Sequence, residues 1–238
     1  MIDASNGAPP RQGAALRGSA PIRGVLFDLD GTLIDSAPDL AGAANEQRAA
    51  HGQGPLPLAR LRPMVGSGAR GMLAVAFDIE PGAPGYAALR EEFLAIYQRR
   101  LLQETVVFEA MQPVLDHLDD HSRRWGIVTN KALSMAVPIT LGLGLQARAG
   151  VLIGGDSTPH TKPHPEPLWA AARQLGLAPE RCVYVGDDAR DIQAGRAAGM
   201  ATLAAAWGYL GLAEPVERWG ADAVLASPSE LLQWLDMA

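Results

Sequence analysis

The order of apolar and polar positions predicts strands that alternate with helices along most of the chain. The apolar run 25–27, which leads directly into acidic residues, is typical of a strand buried on both faces of a sheet. The predicted strands are 25–27, 126–128, 151–153, 182–185, 201–206 and 223–225, and the helices between and after them are 111–120, 131–141, 165–175, 188–198 and 228–235. Such alternation predicts an α/β core in which a parallel sheet lies between two layers of helices.

A different pattern follows the first strand directly. Between Ser36 and Thr105 the sequence shows no strand-like alternation, and the segments 37–50, 66–77 and 86–102 are helical in character. Ser36 fits the N-cap position of the first of these helices. We therefore predict three parts, which are a flexible N-terminal extension over residues 1–20, an α/β core domain over 21–36 and 106–238, and an inserted helical cap domain over 37–105.

The composition narrows the range of partners. The 238 residues carry a net charge of −6, which argues against a nucleic-acid or anionic-membrane surface. No stretch approaches the roughly 20 apolar residues of a membrane span, and residues 1–20 lack the apolar segment of a secretory signal. The single cysteine, Cys182, lies in an apolar run and is expected to be a buried thiol in a reducing compartment. We expect a cytoplasmic protein that is a monomer or a dimer.

Two acids stand at the end of the first predicted strand. Asp28 and Asp30 are two residues apart, so in an extended chain their side chains point the same way. Ligands of an open α/β sheet bind outside the carboxyl ends of its strands. Crowded carboxylates repel unless a cation neutralises them or one of them holds a proton. The pair suits the binding of Mg²⁺, with one carboxylate left as a nucleophile and the other as a general acid/base. An Asp pair before a glycine is also compatible with a simple Asx turn.

Polar residues also follow later strands, and each has a structural alternative. Thr129 and Asn130 could cap the helix after them or direct a hydroxyl and an N–H group at a phosphoryl oxygen. Lys162 is either a solvated loop charge or, because prolines flank it, an ammonium group held on a fixed backbone.

The last acidic group follows the strand at 182–185. Asp188 and Asp191 could simply cap the next helix. Asp187, directly at the strand end, is harder to explain in that way. With Asp28 it would complete a carboxylate cage for Mg²⁺.

The order of these signals is more specific than any one of them. The chain resembles the haloacid dehalogenase-like hydrolase superfamily in the order of four motifs. They are Asp-x-Asp-Gly at 28–31, Thr-Asn at 129–130, Lys162 and Gly-Asp-Asp at 186–188. The resemblance extends from Arg23 to about Leu235. The insertion resembles the helical cap of the branch that holds phosphoglycolate phosphatases and β-phosphoglucomutases. The resemblance implies a Rossmann-like three-layer core with an inserted helical cap domain.

The resemblance also implies the catalytic roles. Asp28 would be the nucleophile that becomes an aspartyl-phosphate. Asp30 would protonate the leaving alkoxide and then activate water. Thr129 and Asn130 would bind the phosphoryl group, and Lys162 would bind it too and stabilise the charged intermediate.

The implied cofactor is Mg²⁺. Asp28, Asp187 and the backbone carbonyl of Asp30 would bind it, and Asp191 or, with less support, Asp188 would serve in or near its shell. Asp30 also argues against a carbon–halogen dehalogenase, whose leaving group carries no oxygen to protonate and which lacks this second acid in the family.

The substrate depends on the predicted cap. The segment 66–70 opens a predicted helix, whose N–H groups favour an anion, and Arg70 can pair with a carboxylate or be an exposed loop residue. This fits 2-phosphoglycolate, which we predict as the substrate of a phosphatase. The alternatives are N-acetylmuramic acid 6-phosphate, which also bears a carboxylate, a sugar phosphomutase with the same core, and a binding protein that keeps the fold without turnover.

Overall fold

A six-stranded parallel sheet lies at the centre of the described part of the protein. The structure, a computed structural model, describes residues 21–238, so the predicted flexible extension 1–20 lies outside the described residues. The strands in chain order are β1 (Gly24–Phe27), β2 (Ile34–Asp35), β3 (Val106–Val107), β4 (Arg124–Val128), β5 (Leu152–Ile153), β6 (Cys182–Gly186), β7 (Ala201–Ala205) and β8 (Ala223–Leu225). The order in the sheet is β5-β4-β1-β6-β7-β8, and all neighbours are parallel.

Helices cover both faces of this sheet. In chain order they are α1 (Ala37–Ala50), α2 (Leu58–Leu61), α3 (Gly68–Phe77), α4 (Tyr86–Arg100), α5 (Gln112–Asp120), α6 (Leu133–Gly142), α7 (Glu166–Leu175), α8 (Ala189–Ala198) and α9 (Ser229–Met237). Side chains alternate along β1. Val25 and Phe27 pack into one core with Leu115 of α5, and Leu26 packs into a second core with Leu168 of α7. The predicted three-layer α/β core is confirmed.

The helices α1 to α4 form a cap that is inserted between β2 and β3. These two strands pair antiparallel, Ile34 with Val107 and Asp35 with Val106, as a ribbon through which the chain enters and leaves the cap. The sequence did not predict this ribbon, because two-residue strands leave no alternation to detect. The cap helices lie within the predicted range 37–105, and α2 occupies a stretch for which no element was predicted.

All predicted helices begin and end within two residues of the observed bounds. Helix α6 begins at Leu133 rather than at residue 131. Its Leu133 N–H donates to Asp156 Oδ1 at 2.9 Å, so its first turn is satisfied by a residue 23 positions later. Such a cap leaves no local signal in the sequence.

Ser36 takes the predicted N-cap position of α1 but does not cap the helix with its side chain. Its hydroxyl donates instead to Asp30 Oδ1 at 2.5 Å. The N–H groups of Ser36 and Ala37 donate to the hydroxyl oxygen of Tyr209, at 2.8 and 3.1 Å. The start of α1 is therefore anchored to the core.

Within residues 21–238, no helix combines the length and the apolar character that a bilayer crossing requires.

Candidate active site

The polar residues that follow the three central strands meet at one edge of the sheet. Strand β1 lies between β4 and β6, so the carboxyl ends of these strands adjoin. Asp28, Thr129 and Asp187 come directly after them, and all three line one cleft. One carboxylate oxygen each of Asp28, Asp187 and Asp191 lies within 4.8 Å of the others. The structure thus brings the acids of the first and last motifs together.

Lys162 reaches this cluster from a loop, not from a strand end, since it follows the last residue of β5 by nine positions. Its Nζ lies 2.8 Å from Asp28 Oδ1, 2.8 Å from Asp191 Oδ1 and 2.8 Å from the Tyr184 hydroxyl oxygen. Burial lowers the pKa of Lys162, but the charges of Asp191 and then Asp28 outweigh burial and raise this pKa. Lys162 is therefore a buried cation that joins two carboxylates.

Asn130 fixes the loop that carries Lys162. Its Nδ2 donates to the Lys162 carbonyl, its Oδ1 accepts from the Lys162 N–H, and both distances are 3.0 Å. The Asn130 side chain is thus occupied by the backbone of Lys162, and the predicted contact of Asn130 with a phosphoryl group stays a prediction that would fall to its backbone N–H. Thr129 Oγ1 accepts from the Lys131 N–H at 3.2 Å, which leaves its own proton for a group in the cleft.

Asp187 is held by donors from two other segments. Its Oδ1 accepts from the Thr32 hydroxyl at 2.9 Å and its Oδ2 from the Tyr209 N–H at 2.8 Å. A Cβ at Gly31, whose φ is 86°, would lie 2.2 Å from Asp187 Oδ2, so glycine is required here for two reasons. Burial, and then the charges of Asp28 and Asp191, raise the pKa of Asp187 well above its ordinary value.

Asp188 and Asp191 have different surroundings. Together they form the capping box of α8: Asp191 Oδ2 accepts from the Asp188 N–H at 3.1 Å, and Asp188 Oδ1 accepts from the Arg190 N–H at 2.9 Å. Asp188 also pairs with the Arg190 guanidinium at 2.7 Å. The second oxygen of Asp191 faces Lys162, so Asp191 and not Asp188 belongs to the cluster.

The donor set of this cluster fits a hard divalent cation. Burial raises the pKa of Asp28 to about 7, although Lys162 opposes the rise. Three carboxylates therefore share a buried space with one ammonium group, and their repulsion is relieved by a further positive charge. Carboxylate oxygens are the ligands that Mg²⁺ prefers. Asp28, Asp187 and Asp191 are the residues that could hold the ion.

Asp30 lies outside the group formed by these three carboxylates. Its Oδ1 lies 3.1 Å from Lys131 Nζ and accepts from Ser36. Lys131 Nζ also donates to the hydroxyl oxygen of Tyr97 in α4 at 2.6 Å. Burial lowers the pKa of Lys131, but Asp30 and then Tyr97 outweigh it and raise this pKa. Asp30 Oδ1 is therefore engaged by Lys131 and Ser36, and the predicted role of the Asp30 backbone carbonyl as a metal ligand stays a prediction.

The cleft lies between the core and the cap and has a volume of about 300 Å³. Its cap side includes residues 65–69, Arg90, Phe93 and Tyr97. Arg70, predicted to meet a substrate carboxylate, has an exposed side chain and does not line the cleft. Arg90 of α4 is the cap cation that does.

Sequence reasoning missed Lys131, Ser36 and Thr32 as parts of the site. One signal for Lys131 was present: the chain contains 20 Lys and Arg residues, of which only Lys131 and Lys162 are lysines. Both lie in this cleft.

A second group of potential ligands lies on the surface. His160, His164 and Glu166 have ligand atoms within 4.8 Å of one another, beside the loop of Lys162. The sequence did not predict this group, because the loop that brings the three side chains together has no regular period.

Comparisons with known proteins agree with this geometry. Residues 25–205 match the family model of the haloacid dehalogenase-like hydrolases. The chain is 48% identical over 210 residues to the phosphoglycolate phosphatase of Xanthomonas campestris pv. campestris, covering 88% of this chain and 94% of that protein. It is 41% identical over 217 residues to the N-acetylmuramic acid 6-phosphate phosphatase of Pseudomonas aeruginosa, covering 91% of this chain and 96% of that protein.

A crystal structure of a predicted phosphoglycolate phosphatase from Haemophilus somnus has the same architecture. Its TM-score is 0.79 at 26% identity, with 91% of this chain and 99% of that chain covered. The motifs, the fold and these matches lead to one conclusion. The chain belongs to the haloacid dehalogenase-like hydrolase family.

Proposed function

We propose that the protein is a Mg²⁺-dependent phosphatase that hydrolyses a small phosphomonoester through an aspartyl-phosphate at Asp28. One observation carries the proposal. Asp28 is joined to Lys162 at 2.8 Å, beside the carboxylates of Asp187 and Asp191, while a second acid, Asp30, lines the same cleft. Bound Mg²⁺ would supply positive charge to the phosphoryl oxygens.

The residues divide the chemistry between them. Lys162 holds Asp28 Oδ1, and among residues 21–238 no donor reaches Asp28 Oδ2, which is free to attack phosphorus. As the Asp28–phosphorus bond forms, the bond from phosphorus to the leaving oxygen breaks and Asp30 gives that oxygen a proton. Asp30 then takes a proton from water, whose oxygen attacks phosphorus and releases Asp28. Lys162 and the Thr129 hydroxyl offset the charge of the phosphoryl group.

We infer that 2-phosphoglycolate is the main substrate. The relative from Xanthomonas campestris supports this substrate by its name and its 48% identity. A cleft of about 300 Å³ lies at the lower end of the roughly 300–1,000 Å³ range of ligand pockets, which suits a small ester. Arg90 is the cap residue that we propose for the carboxylate.

The alternative substrate is N-acetylmuramic acid 6-phosphate. The relative from Pseudomonas aeruginosa, 41% identical over a similar length, favours it. This ester also carries a carboxylate, so a cationic cap residue serves both candidates. It is the larger of the two esters, so a cleft of about 300 Å³ favours 2-phosphoglycolate.

The test measures phosphate release by purified protein from both esters and from a simple alkyl phosphate, with Mg²⁺ and with a chelator. We expect the highest kcat/KM for 2-phosphoglycolate and no turnover without Mg²⁺. Asp28→Asn should abolish release, while Asp236→Asn, at an exposed carboxylate, should not. Turnover by Asp28→Asn near the wild-type rate would falsify the nucleophile assignment.

The same assay separates the other classes. A binding protein without turnover predicts no phosphate release at any enzyme concentration. A sugar phosphomutase predicts an isomerised sugar phosphate in place of free phosphate. A cytoplasmic location and a monomeric or dimeric state remain predictions.

A further inference from the structure

Lys131 is a buried cation that no step of the proposed chemistry uses. Only 9% of its side chain is exposed, and the side chain of Asp30, its acidic partner, is 14% exposed. The turn after β4 fixes its backbone, because its N–H donates to Thr129 Oγ1 and its carbonyl accepts from the Gly155 N–H at 2.9 Å. Burying a lysine is costly unless it is paired, so this position calls for an explanation.

The contacts of Lys131 fix one oxygen of Asp30. Lys131 Nζ forms an ion pair with Asp30 Oδ1 at 3.1 Å, and the Ser36 hydroxyl donates a hydrogen bond to the same oxygen at 2.5 Å. Among residues 21–238, no hydrogen-bond donor reaches Asp30 Oδ2, and Asp30 lines the cleft. With Oδ1 fixed from two sides, Oδ2 is the oxygen left to exchange a proton with a bound ester.

The third contact of Lys131 crosses from the core to the cap. Tyr97 lies on α4, is buried, and accepts a hydrogen bond from Lys131 Nζ at 2.6 Å. The ammonium also lies 4.6 Å from the centre of the Tyr97 ring, within cation–π range. Tyr97 in turn stacks on Phe93, and both side chains line the cleft. Lys131 therefore contacts the acid of the core and the wall of the cap at once.

We propose that Lys131 is a positioning residue that orients the Asp30 carboxyl group for proton transfer and couples that orientation to the seating of the cap through Tyr97. The inference rests on the proposed phosphatase function and deepens it. The use of lysine is consistent with the role: an ammonium group is compact and has three donors, so it can contact both Asp30 and Tyr97, whereas a planar guanidinium presents its donors in a fixed fork.

The proposal predicts an effect that depends on the leaving group. When phosphorus moves from an alkyl oxygen to Asp28, the departing alkoxide must take the proton of Asp30. When 4-nitrophenolate departs, it is stable without a proton. A change in the orientation of Asp30 therefore impairs hydrolysis of an alkyl phosphate and affects hydrolysis of 4-nitrophenyl phosphate far less.

The test compares kcat/KM for an alkyl phosphate and for 4-nitrophenyl phosphate, because this ratio reports the step in which the leaving group departs. For Lys131→Met we expect a fall of roughly 10- to 100-fold with the alkyl ester and less than about threefold with the aryl ester, mainly in kcat. Lys131→Arg should not restore the alkyl rate. Tyr97→Phe removes the hydroxyl oxygen that accepts from Lys131 and should lower kcat/KM for the alkyl ester by roughly 2- to 10-fold.

Arg99→Met is the matched control, since it removes a long cation on the exposed part of α4 that pairs with Glu46 and does not line the cleft. This substitution should leave kcat/KM unchanged for both esters. Parallel losses with both esters in Lys131→Met and Tyr97→Phe, or no loss in either, would overturn the inference while leaving the phosphatase function in place. If Lys131→Met does not fold, Tyr97→Phe alone decides. A wild type that hydrolyses neither ester would overturn both proposals.

Discussion

The substitution Asp28→Asn should abolish turnover and yet stabilise the metal-free protein. Asp28 is ionised in the unfolded chain at neutral pH, whereas burial raises its pKa in the folded protein from 3.8 to about 7. The nearby charge of Lys162 opposes this rise without cancelling it. Folding therefore has to place a poorly solvated carboxylate in the cleft, and asparagine removes that charge at nearly constant shape.

The magnitude follows from the two pKa values. At about 1.4 kcal/mol per pH unit, the difference corresponds to about 4 kcal/mol of lost stability at pH 8. Asparagine brings an NH₂ group that has to be desolvated, which offsets about 1–3 kcal/mol of this gain. The net gain of about 1–3 kcal/mol should raise the Tm by about 2–12 °C in a chain of this size.

The pH dependence is the sharper measurement, because the cost of the new NH₂ group does not change with pH. A raised carboxyl pKa gives stability that is fully present below pH 3.8 and is lost as the pH rises to about 7. The stability advantage of Asp28→Asn should therefore shrink by about 3 kcal/mol between pH 8 and pH 5. Thermal unfolding of the wild type and the variant in chelator, at pH 8 and at pH 5, measures this change in the stability difference.

Asp236→Asn, at an exposed carboxylate, is the control and should show no such change. The reasoning fails if the difference between Asp28→Asn and wild type is the same at pH 8 and pH 5. Added Mg²⁺ should reduce the advantage of the variant by up to about 2.7 kcal/mol at 100 times the wild-type Kd, because the variant lacks one ligand.

Three further predictions concern single side chains. Arg90→Ala should raise KM about tenfold for carboxylated phosphates and not for simple alkyl phosphates, and Arg70→Ala should have the smaller effect in the same steady-state assay. Asn130→Ala, which frees the backbone of Lys162, should lower kcat about tenfold with little change in KM, and an unchanged kcat would contradict the anchoring role. Cys182 is buried with its pKa raised to about 11 by burial, so iodoacetamide should label it at pH 8 only after unfolding; fast labelling of the folded protein would contradict this.

The core could be predicted from sequence because its signals are local. Each buried strand is a short apolar run, and Gly199, with a φ of 80°, ends α8 as its position predicts. The elements that escaped prediction depend on distant partners. The ribbon of β2 and β3 pairs Ile34 with Val107 across the whole cap, and the start of α6 depends on Asp156.

The candidate site divides in the same way. Asp28 and Asp187 could be placed together because parallel strands end at one edge of the sheet. The sequence could not show that Ser36 donates to Asp30 rather than capping α1, since both uses suit a serine at that position. The choice between Arg70 and Arg90 was equally out of reach, because it depends on which sides of α3 and α4 face the cleft once the cap has packed.

The type of cation at each contact reflects its burial. The two lysines, with 9% and 3% of their side chains exposed, contact Asp30 and Asp28, where a compact ammonium fits between several acceptors. Arginine serves at the half-exposed boundary of core and cap: Arg62 pairs with Asp35 at 2.8 Å, and Arg190 donates to the Gly66 carbonyl. If the cap moved relative to the core, the contacts of Arg62 and Arg190 would break at the solvent-exposed boundary. The contact between Lys131 and Tyr97 would break in a buried space. If the proposal for Lys131 holds, its contact is the one that ties the position of the cap to the orientation of Asp30, because it is the buried contact of the three.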